Sequence, residues 1–145
     1  MSVELSPAAG EREFADPALV GEWAEPLAEI AAEEQRPPWC SYAVRRDGAL
    51  VGLGGFKGGP GEHGQVEISY LTFQPAEGQG VASATAAALV DIARDAGAPT
   101  ICAHTLAQES GSTAVLRRNG FVFAGEATDS EDGPVWRWEK RLAPR

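Results

Sequence analysis

The spacing of apolar residues along the chain predicts three helical stretches. Apolar positions recur at helical spacing from Leu19 to Ile30, directly after the pair Asp16-Pro17, which is typical of a helix start. Pro26 lies inside this stretch and predicts that the helix is kinked or split there. The two further helical stretches are each followed by a glycine, and they cover Val81–Ala96 and Ser112–Asn119.

Shorter stretches rich in apolar and β-branched residues predict strands between these helices. An Asp47-Gly48 pair indicates a tight hairpin turn, and the glycine-rich residues 57–64 predict a loop. Because hairpins alternate with strand–helix–strand units, we expect an α/β (α+β) architecture, with helices flanking a mixed sheet of about six or seven strands. The predicted strands are Val3–Leu5, Trp39–Arg45, Leu50–Phe56, Gln65–Phe73, Thr100–Leu106, Phe121–Glu126 and Val135–Arg141.

Composition limits the classes of partner. The 145 residues are expected to form one domain over residues 1–145, and the net charge of -9 argues against nucleic acid or an anionic membrane as the main partner. No apolar run approaches the ~20 residues of a membrane span. With no apparent secretory leader, Cys40 and Cys102 predict reduced thiols and a cytoplasmic protein. No group of residues has metal-ligand spacing, so no metal is predicted.

The stretch from Glu77 to Ala82 joins a predicted strand to a predicted helix through Gly78 and Gly80. A glycine turn of this kind presents several backbone N–H groups and the positive end of the helix dipole to one point, which predicts an anion site, typically for phosphate. It is not a dinucleotide fingerprint, because Ser83 stands where a third glycine is required. The Gly-Lys-Ser/Thr of a Walker loop is also missing.

Two motifs in this region resemble those of the GNAT N-acetyltransferase superfamily. Glu77-x-x-Gly80-x-Ala82 resembles the acyl-CoA-binding signature Gln/Arg-x-x-Gly-x-Gly/Ala. The segment from Ser112 to Phe121 resembles Ser-x-x-Val-Leu-x-x-x-Gly-Phe of the RimJ/RimL-like branch, which acetylates ribosomal-protein N-termini. The resemblance implies the GNAT fold. It also implies that acetyl-CoA donates its acetyl group to a primary amine, either a protein N-terminus or a small amine, by direct attack in a ternary complex.

The resemblance also implies where coenzyme A lies. The pyrophosphate is expected against the turn, and the pantetheine arm against the preceding strand, which splays from the strand Thr100–Leu106. The implied cofactor-binding residues are Leu71, Thr72, Phe73, Gly78, Gln79, Gly80, Val81, Ala82, Ser83 and Ser112. Two positions depart from the family pattern: Glu77 replaces a Gln or Arg and would repel the pyrophosphate, and Glu109 replaces an Asn.

Aminolysis of a thioester requires a neutral amine and a proton for the leaving thiolate. Glu67 is the first candidate for the base, because its position resembles that of a glutamate used as base in some relatives; a strand-edge salt bridge is the alternative. His63 and His104 are further candidates. The tyrosine that many relatives use as the acid is Leu116 here, so Ser112 becomes the candidate. The alternative is that Ser112 caps or opens the short helix.

Other residues keep alternatives open. Tyr42 and Tyr70 are possible acids, although both fit packed strand aromatics, and a backbone N–H near Phe73 is a candidate for polarising the carbonyl. Trp136 and Trp138 share a strand face that predicts either core packing or a homodimer contact. The residues that would line an acceptor pocket, or else pack in the core, are Trp23, Trp39, Tyr42 and Phe56.

The sequence is also compatible with two other functions. The missing tyrosine and the acidic Glu77 are compatible with a non-catalytic acyl-CoA-binding sensor or pseudoenzyme. The third alternative is an interaction domain whose glycine turn binds nothing.

Overall fold

The computed structural model describes residues 2–32 and 36–143, and this part of the chain forms seven strands and four helices. Three short 3-10 turns, at Arg12–Ala15, Gly21–Trp23 and Gln74–Ala76, connect some of them. The strands are β1 Glu4–Pro7, β2 Ser41–Arg46, β3 Ala49–Phe56, β4 Val66–Thr72, β5 Thr100–Leu106, β6 Val122–Asp129 and β7 Gly133–Arg141. The helices are α1 Pro17–Val20, α2 Ala24–Ala32, α3 Val81–Asp95 and α4 Gly111–Arg118.

The seven strands form one sheet in the order β1-β2-β3-β4-β5-β7-β6. Every neighbouring pair is antiparallel except β4 and β5, which run parallel, so the predicted mixed sheet is confirmed. The β4–β5 ladder holds only at Val66 with Ile101 and at Glu67 with Cys102. Beyond Glu67 the two strands no longer pair, which leaves a gap in the middle of the sheet.

Both faces of the sheet carry an apolar core. Ile68, Leu89 and Leu116 belong to the larger cluster, which packs α3 and α4 against one face. Phe14 and Leu27 belong to the second, which packs the N-terminal helices against the other. Burying a side chain of this size stabilises the fold by about 1.5–3 kcal/mol, so both faces contribute to the rigidity of the strands beside the gap.

Helix α3 approaches the sheet closely over β3. A Cβ atom at Gly54 would lie 2.6 Å from the Cγ2 atom of Thr85 and 3.4 Å from a methyl carbon of Leu89. Both side chains are almost completely buried in the helix–sheet interface. Glycine at this strand position therefore lets α3 pack close to the sheet.

The N-terminal helix is split, but not at the proline. The break falls at Gly21–Trp23, and Pro26 lies in the first turn of α2. A proline is tolerated there because the first N–H groups of a helix have no intrahelical acceptor. The predicted break at Pro26 is therefore wrong. In the described residues, none of the helices is long and apolar enough to cross a membrane.

Candidate active site

The glycine turn from Glu77 to Ala82, here called the phosphate turn, lies between β4 and α3. It leaves several backbone N–H groups at the start of α3 without a capping side chain. Gly78 and Gly80 have φ angles of 75° and 81°, a region that glycine enters without steric cost. Gly80 is the N-cap of α3 and has no side chain that could cap the helix. The first backbone hydrogen bond of α3 is donated by the N–H of Ala84 to the carbonyl of Gly80, at 3.1 Å. The preceding N–H groups of α3 are therefore free to bind an anion.

A groove of about 550 Å³ lies beside this turn and the end of β4. It is lined by most of the predicted cofactor-binding residues: Leu71, Thr72, Gly78, Gly80, Val81, Ala82, Ser83 and Ser112. Phe73 and Gln79 do not line it. Phe73 is buried in edge-to-face contact with Phe14, and the side-chain oxygen of Gln79 accepts a hydrogen bond from Arg46.

Two hydrogen bonds establish which backbone groups of β4 point into the gap. Lys57 N–H donates to the carbonyl of Glu67 at 2.8 Å, and Phe73 N–H donates to the carbonyl of Val51 at 2.9 Å. Peptide groups along a strand alternate between its two neighbours. The donor expected near Phe73 is therefore already used by β3. Beyond the last ladder pair, the residues whose backbone groups face the gap are therefore Tyr70 and Thr72.

Cationic side chains near the turn were not identified from the sequence. Arg118, in the last turn of α4, lines the same groove as Glu77. Asn119 follows it and donates from Nδ2 to the carbonyl of Ser83 at 3.3 Å, which ties the end of α4 to the start of α3. A guanidinium therefore lies at the groove where the sequence alone indicated only the acidic Glu77.

Ser112 is the second residue of α4 and does not cap it. The cap is Ser110, whose N–H donates to Thr113 Oγ1 at 3.0 Å, while Thr113 N–H donates to Ser110 Oγ at 3.4 Å. Ser112 therefore lies in the opening turn of the short helix without capping it, which agrees with one part of the alternative that it caps or opens this helix. Its exposed side chain instead lines both the groove and a second cavity.

Glu109, where the branch has an asparagine, holds the start of α4. Its carboxylate accepts a hydrogen bond from Arg117 at 2.8 Å and one from Thr113 Oγ1 at 3.1 Å. Hydrogen bonding from Arg117, opposed by a smaller desolvation effect, lowers the pKa of Glu109. The carboxylate of Glu109 is thus engaged with side chains of the helix that follows it.

The second cavity, of about 540 Å³, lies between β4, β5 and the β6–β7 hairpin. It is lined mainly by polar residues, among them Lys57, Glu67, His104, Thr105, Gln108, Ser110, Ser112, Thr128, Asp129 and Asp132. Because Ser112 lines both cavities, the second cavity adjoins the groove at the N-terminus of α4.

Glu67 and His104 lie together in this cavity. Oε2 of Glu67 is 3.0 Å from Nδ1 of His104 and 3.3 Å from Nζ of Lys57. The side chains of Glu67 and His104 are 27% and 26% exposed, so solvent reaches both in part. His63 lies in the exposed loop after β3 and does not line the cavity. Both functions considered for Glu67, a salt bridge and a role at the proton-accepting site, are compatible with these contacts.

The two tyrosines are poor proton donors. Tyr70 lines the groove, and burial raises its pKa to about 12. Passing its proton to a thiolate with an ordinary pKa of ~8.5 would cost about 5 kcal/mol. Tyr42 donates its hydroxyl hydrogen to the carbonyl of Pro38 at 2.8 Å, and burial raises its pKa as well. Both therefore fit better as packed aromatics.

Most of the remaining aromatic candidates pack within the fold. Trp39 contacts Phe56 edge-to-face at 5.0 Å between ring centroids. Trp138 is buried and donates its indole N–H to Thr105 Oγ1 at 3.0 Å. Trp23 is 43% exposed and lines a third cavity of about 710 Å³, next to the end of β4. Within residues 2–32 and 36–143, no cluster of His, Cys, Asp and Glu has the form of a metal site.

Residues 6–122 match the family model described as the acetyltransferase (GNAT) domain. The match contains the phosphate turn together with Glu67, His104 and Ser112, and it ends at the first residue of β6. No curated protein matches this chain in sequence.

Solved structures share the fold over almost the whole chain at low identity. An acetyl transferase from Salmonella typhimurium that modifies the N-terminal serine of the 50S ribosomal subunit protein L7/L12 is 17% identical, with a TM-score of 0.76, over 99% of this chain and 96% of that chain. The putative acetyltransferase yncA from Salmonella typhimurium, with its cofactor acetyl-CoA, is 16% identical, with a TM-score of 0.70, over 99% and 95%. An N-acetyltransferase from Staphylococcus aureus Mu50 is 19% identical, with a TM-score of 0.76, over 99% and 100%.

Proposed function

The chain belongs to the GNAT acetyltransferase family and has its fold, and we propose that it transfers the acetyl group of acetyl-CoA to a primary amine by direct attack in a ternary complex. One observation carries the proposal. The β4–β5 ladder stops after Glu67, so a gap opens in the sheet beside a helix N-terminus whose N–H groups are uncapped. A ligand with a phosphate end and a long polar arm fits this combination.

The residues present fit coenzyme A along its length. The pyrophosphate lies against the N–H groups of the turn from Gly78 to Ser83, where two positive φ angles bring the backbone close to the groove. Arg118 supplies a positive charge at the same groove, which offsets the repulsion from Glu77. The pantetheine arm pairs with the backbone groups of Tyr70 and Thr72 that face the gap.

The acceptor amine enters the second cavity, because that cavity holds groups that can take its proton. Neutralising a lysine amine at neutral pH costs roughly 4.6 kcal/mol, and neutralising an N-terminal α-amine only about 1–1.4 kcal/mol. The neighbouring carboxylate Glu67 and imidazole His104 form the proton-accepting pair. Ser112, at the N-terminus of α4, donates a hydrogen bond to the leaving thiolate between the two cavities.

We assign the protein to the RimJ/RimL-like branch, with an α-amine of a protein or a small amine as acceptor. The likeness to the L7/L12-modifying enzyme and the Ser112–Phe121 segment support the branch. The lower cost of neutralising an α-amine supports the acceptor class. Both cysteines are free and buried, which is compatible with a reducing cytoplasm.

Thiol release from acetyl-CoA tests the proposal. We would offer a tetrapeptide with a free N-terminal serine, an N-acetylated lysine peptide, putrescine and phenethylamine, and identify products by mass spectrometry. Amine-dependent thiol release with an acetylated product is expected, with α-amines favoured over the lysine side chain. If the protein binds acetyl-CoA but no amine causes thiol release, the proposed acetyltransferase activity is contradicted.

That last outcome would instead favour a sensor that binds acyl-CoA without catalysis. One observation keeps this alternative in view: Leu116, at the position of the tyrosine used by many relatives, is fully buried in the larger core cluster. A leucine at this position has no proton to donate to the thiolate. We prefer an enzyme because Ser112 lines both cavities and carries a hydroxyl that can donate a hydrogen bond.

A further inference from the structure

We propose that His104, rather than Glu67, accepts the proton of the acceptor amine, and that Glu67 positions the imidazole for this role. The proposal deepens the proposed function and rests on it, because it assigns separate roles to two residues of the second cavity, which we call the acceptor cavity. It is carried by the contacts that Glu67 makes with its two neighbours and by the place of His104 on β5.

The carboxylate of Glu67 is already engaged by two neighbouring side chains. Its Oε2 atom lies 3.0 Å from the imidazole of His104 and 3.3 Å from the ammonium group of Lys57. A substrate ammonium approaching this oxygen would have to compete with both donors. Glu67 is also fixed at the last paired position of the β4–β5 ladder, opposite Cys102. These contacts suit a residue that orients a neighbour better than one that meets the substrate.

The contact with Glu67 determines the tautomer of neutral His104. An ionised carboxylate is acceptor-only, so its hydrogen bond to neutral His104 requires the proton on Nδ1. The lone pair is then on Nε2, the other ring nitrogen. The side chain lines the acceptor cavity, where Ser112 also lies, and it is 26% exposed. The carboxylate thus leaves the imidazole with one unprotonated nitrogen available to an amine.

Charged groups from the surrounding elements face the imidazole ring of His104. They are Lys57 after β3, Glu67 on β4, Asp129 on β6, Asp132 in the β6–β7 turn and Arg137, its cross-strand partner on β7. The charge of Arg137 is paired with Glu139 at 2.8 Å. Hydrogen bonds from its own hairpin, and to a smaller extent the charges of Lys57 and His104, lower the pKa of Asp129. An imidazolium formed during turnover would therefore have carboxylates near it to offset the cations.

The proton balance is complete with groups already named. His104 Nε2 takes one proton from the substrate ammonium and later releases it to solvent. The neutral amine attacks the thioester carbon, so that a C–N bond forms and the C–S bond breaks. The second nitrogen proton passes to the thiolate sulfur through the hydroxyl of Ser112, which gives the amide and free coenzyme A. No oxidant, metal or covalent enzyme intermediate is required.

The tautomer can be measured without knowing the acceptor. The chain has 2 histidines, so imidazole ¹⁵N spectra of the wild type and of His63→Gln assign both rings. At high pH the neutral His104 ring is expected to carry its proton on Nδ1, and Glu67→Ala is expected to shift the population towards the Nε2-protonated form. A wild-type ring protonated on Nε2 would overturn the proposal.

Kinetics with the best amine of the panel separate a catalytic imidazole from a structural ion pair. His104→Gln should lower kcat/KM by about 10²–10⁴-fold and remove the acidic limb of the pH profile. In His104→Ala, added imidazole should restore part of the rate. His63→Gln, in the exposed loop, is the matched control and should behave as wild type. An unchanged acidic limb in His104→Gln would overturn the proposal.

Failure of this inference is distinguishable from failure of the proposed function. Thermal stabilisation by coenzyme A first establishes that each variant is folded and keeps the cofactor groove. If no amine of the panel reacts, the proposed function fails as a whole, whereas the tautomer measurement still supports or refutes the arrangement of Glu67 and His104. If an amine reacts equally well with wild type and His104→Gln, only the role of His104 is lost.

Discussion

Glu77 carries a negative charge next to the proposed binding site of the negatively charged pyrophosphate. It precedes Gly78 and lines the groove in which we place the pyrophosphate. Its cost is limited for two reasons. Backbone N–H groups make most of the proposed phosphate contacts, and Arg118 lines the same groove with the opposite charge. A single exposed carboxylate is then expected to weaken binding without preventing it.

Glu77→Gln should therefore tighten coenzyme A binding. Removing the repulsion is expected to gain a few tenths to ~1 kcal/mol at low ionic strength, or up to about fivefold in Kd, and less in high salt. Isothermal titration of CoA at two salt concentrations measures this. Glu25→Gln, an exposed carboxylate in α2, is the control. Equal affinities for wild type and Glu77→Gln at low salt would argue against the placement of the pyrophosphate.

Charged side chains hold or line two further elements outside the phosphate turn, the N-terminal segment and the β6–β7 hairpin. The N-terminal segment is tied to β2 by an ion pair between Glu11 and Arg45, whose side chains are 13% and 24% exposed. The β6–β7 hairpin brings Asp129 and Asp132 to the wall of the acceptor cavity. We expect the first element to affect how firmly the N-terminal helices are held, and the second to affect which acceptor is bound.

Glu11→Gln should reduce stability in a pH-dependent way. Burial alone raises the pKa of Glu11, but the hydrogen bonds from Arg45 and from the Glu13 N–H outweigh it, so the pKa is lowered. A lowered folded-state pKa contributes stability above the unfolded pKa, and this contribution is lost as pH falls through the folded one. The variant is expected to lose roughly 1 kcal/mol at neutral pH and progressively less below about pH 4.5.

Urea unfolding at several pH values measures this difference. Glu29→Gln, an exposed carboxylate in α2, is the control and should follow the wild type at every pH. A loss of stability in Glu11→Gln that stays constant down to about pH 3 would show that the ion pair is not its source.

Asp132→Asn should weaken the binding of cationic acceptors. Asp132 lines the acceptor cavity, whereas the carboxylate of Asp129 also accepts N–H groups of the turn and is less suitable to change. Loss of one partly screened charge is expected to raise KM for putrescine up to about fivefold, with KM for acetyl-CoA unchanged. Glu131→Gln, in the same turn but outside the cavity lining, is the matched control. An equal effect of both variants would contradict a specific role of Asp132.

At the scale of the whole molecule, the gap divides the sheet into two antiparallel halves that meet at two residue pairs. One half is β1–β4 and the other is β5, β7 and β6. Helices α3 and α4 pack across this division on one face, and Asn119 links them. A ligand in the gap would bridge the two halves and should therefore stabilise the whole fold.

Acetyl-CoA and free CoA should each raise the melting temperature. At about 100 times Kd the stabilisation is about 2.7 kcal/mol, which corresponds to roughly 5–10 °C for a domain of this size. Gly80→Asp should abolish the shift. Ala82→Leu keeps a good helix former in the first turn of α3 but fills the groove, so it should do the same with the fold intact. A full shift retained by Ala82→Leu would contradict the location of the site.

The sequence alone determined the features that depend on neighbouring residues. The hairpin turn at Asp47-Gly48, the strand Thr100–Leu106 and the glycine turn into α3 were all predicted, because periodicity and positive φ angles are local properties. The tertiary structure decided the rest. Glu67 and His104 are 37 positions apart and meet only through the short parallel register of β4 and β5. Strand register is a non-local property that no single segment encodes, and it brings Glu67 and His104 together beside the gap.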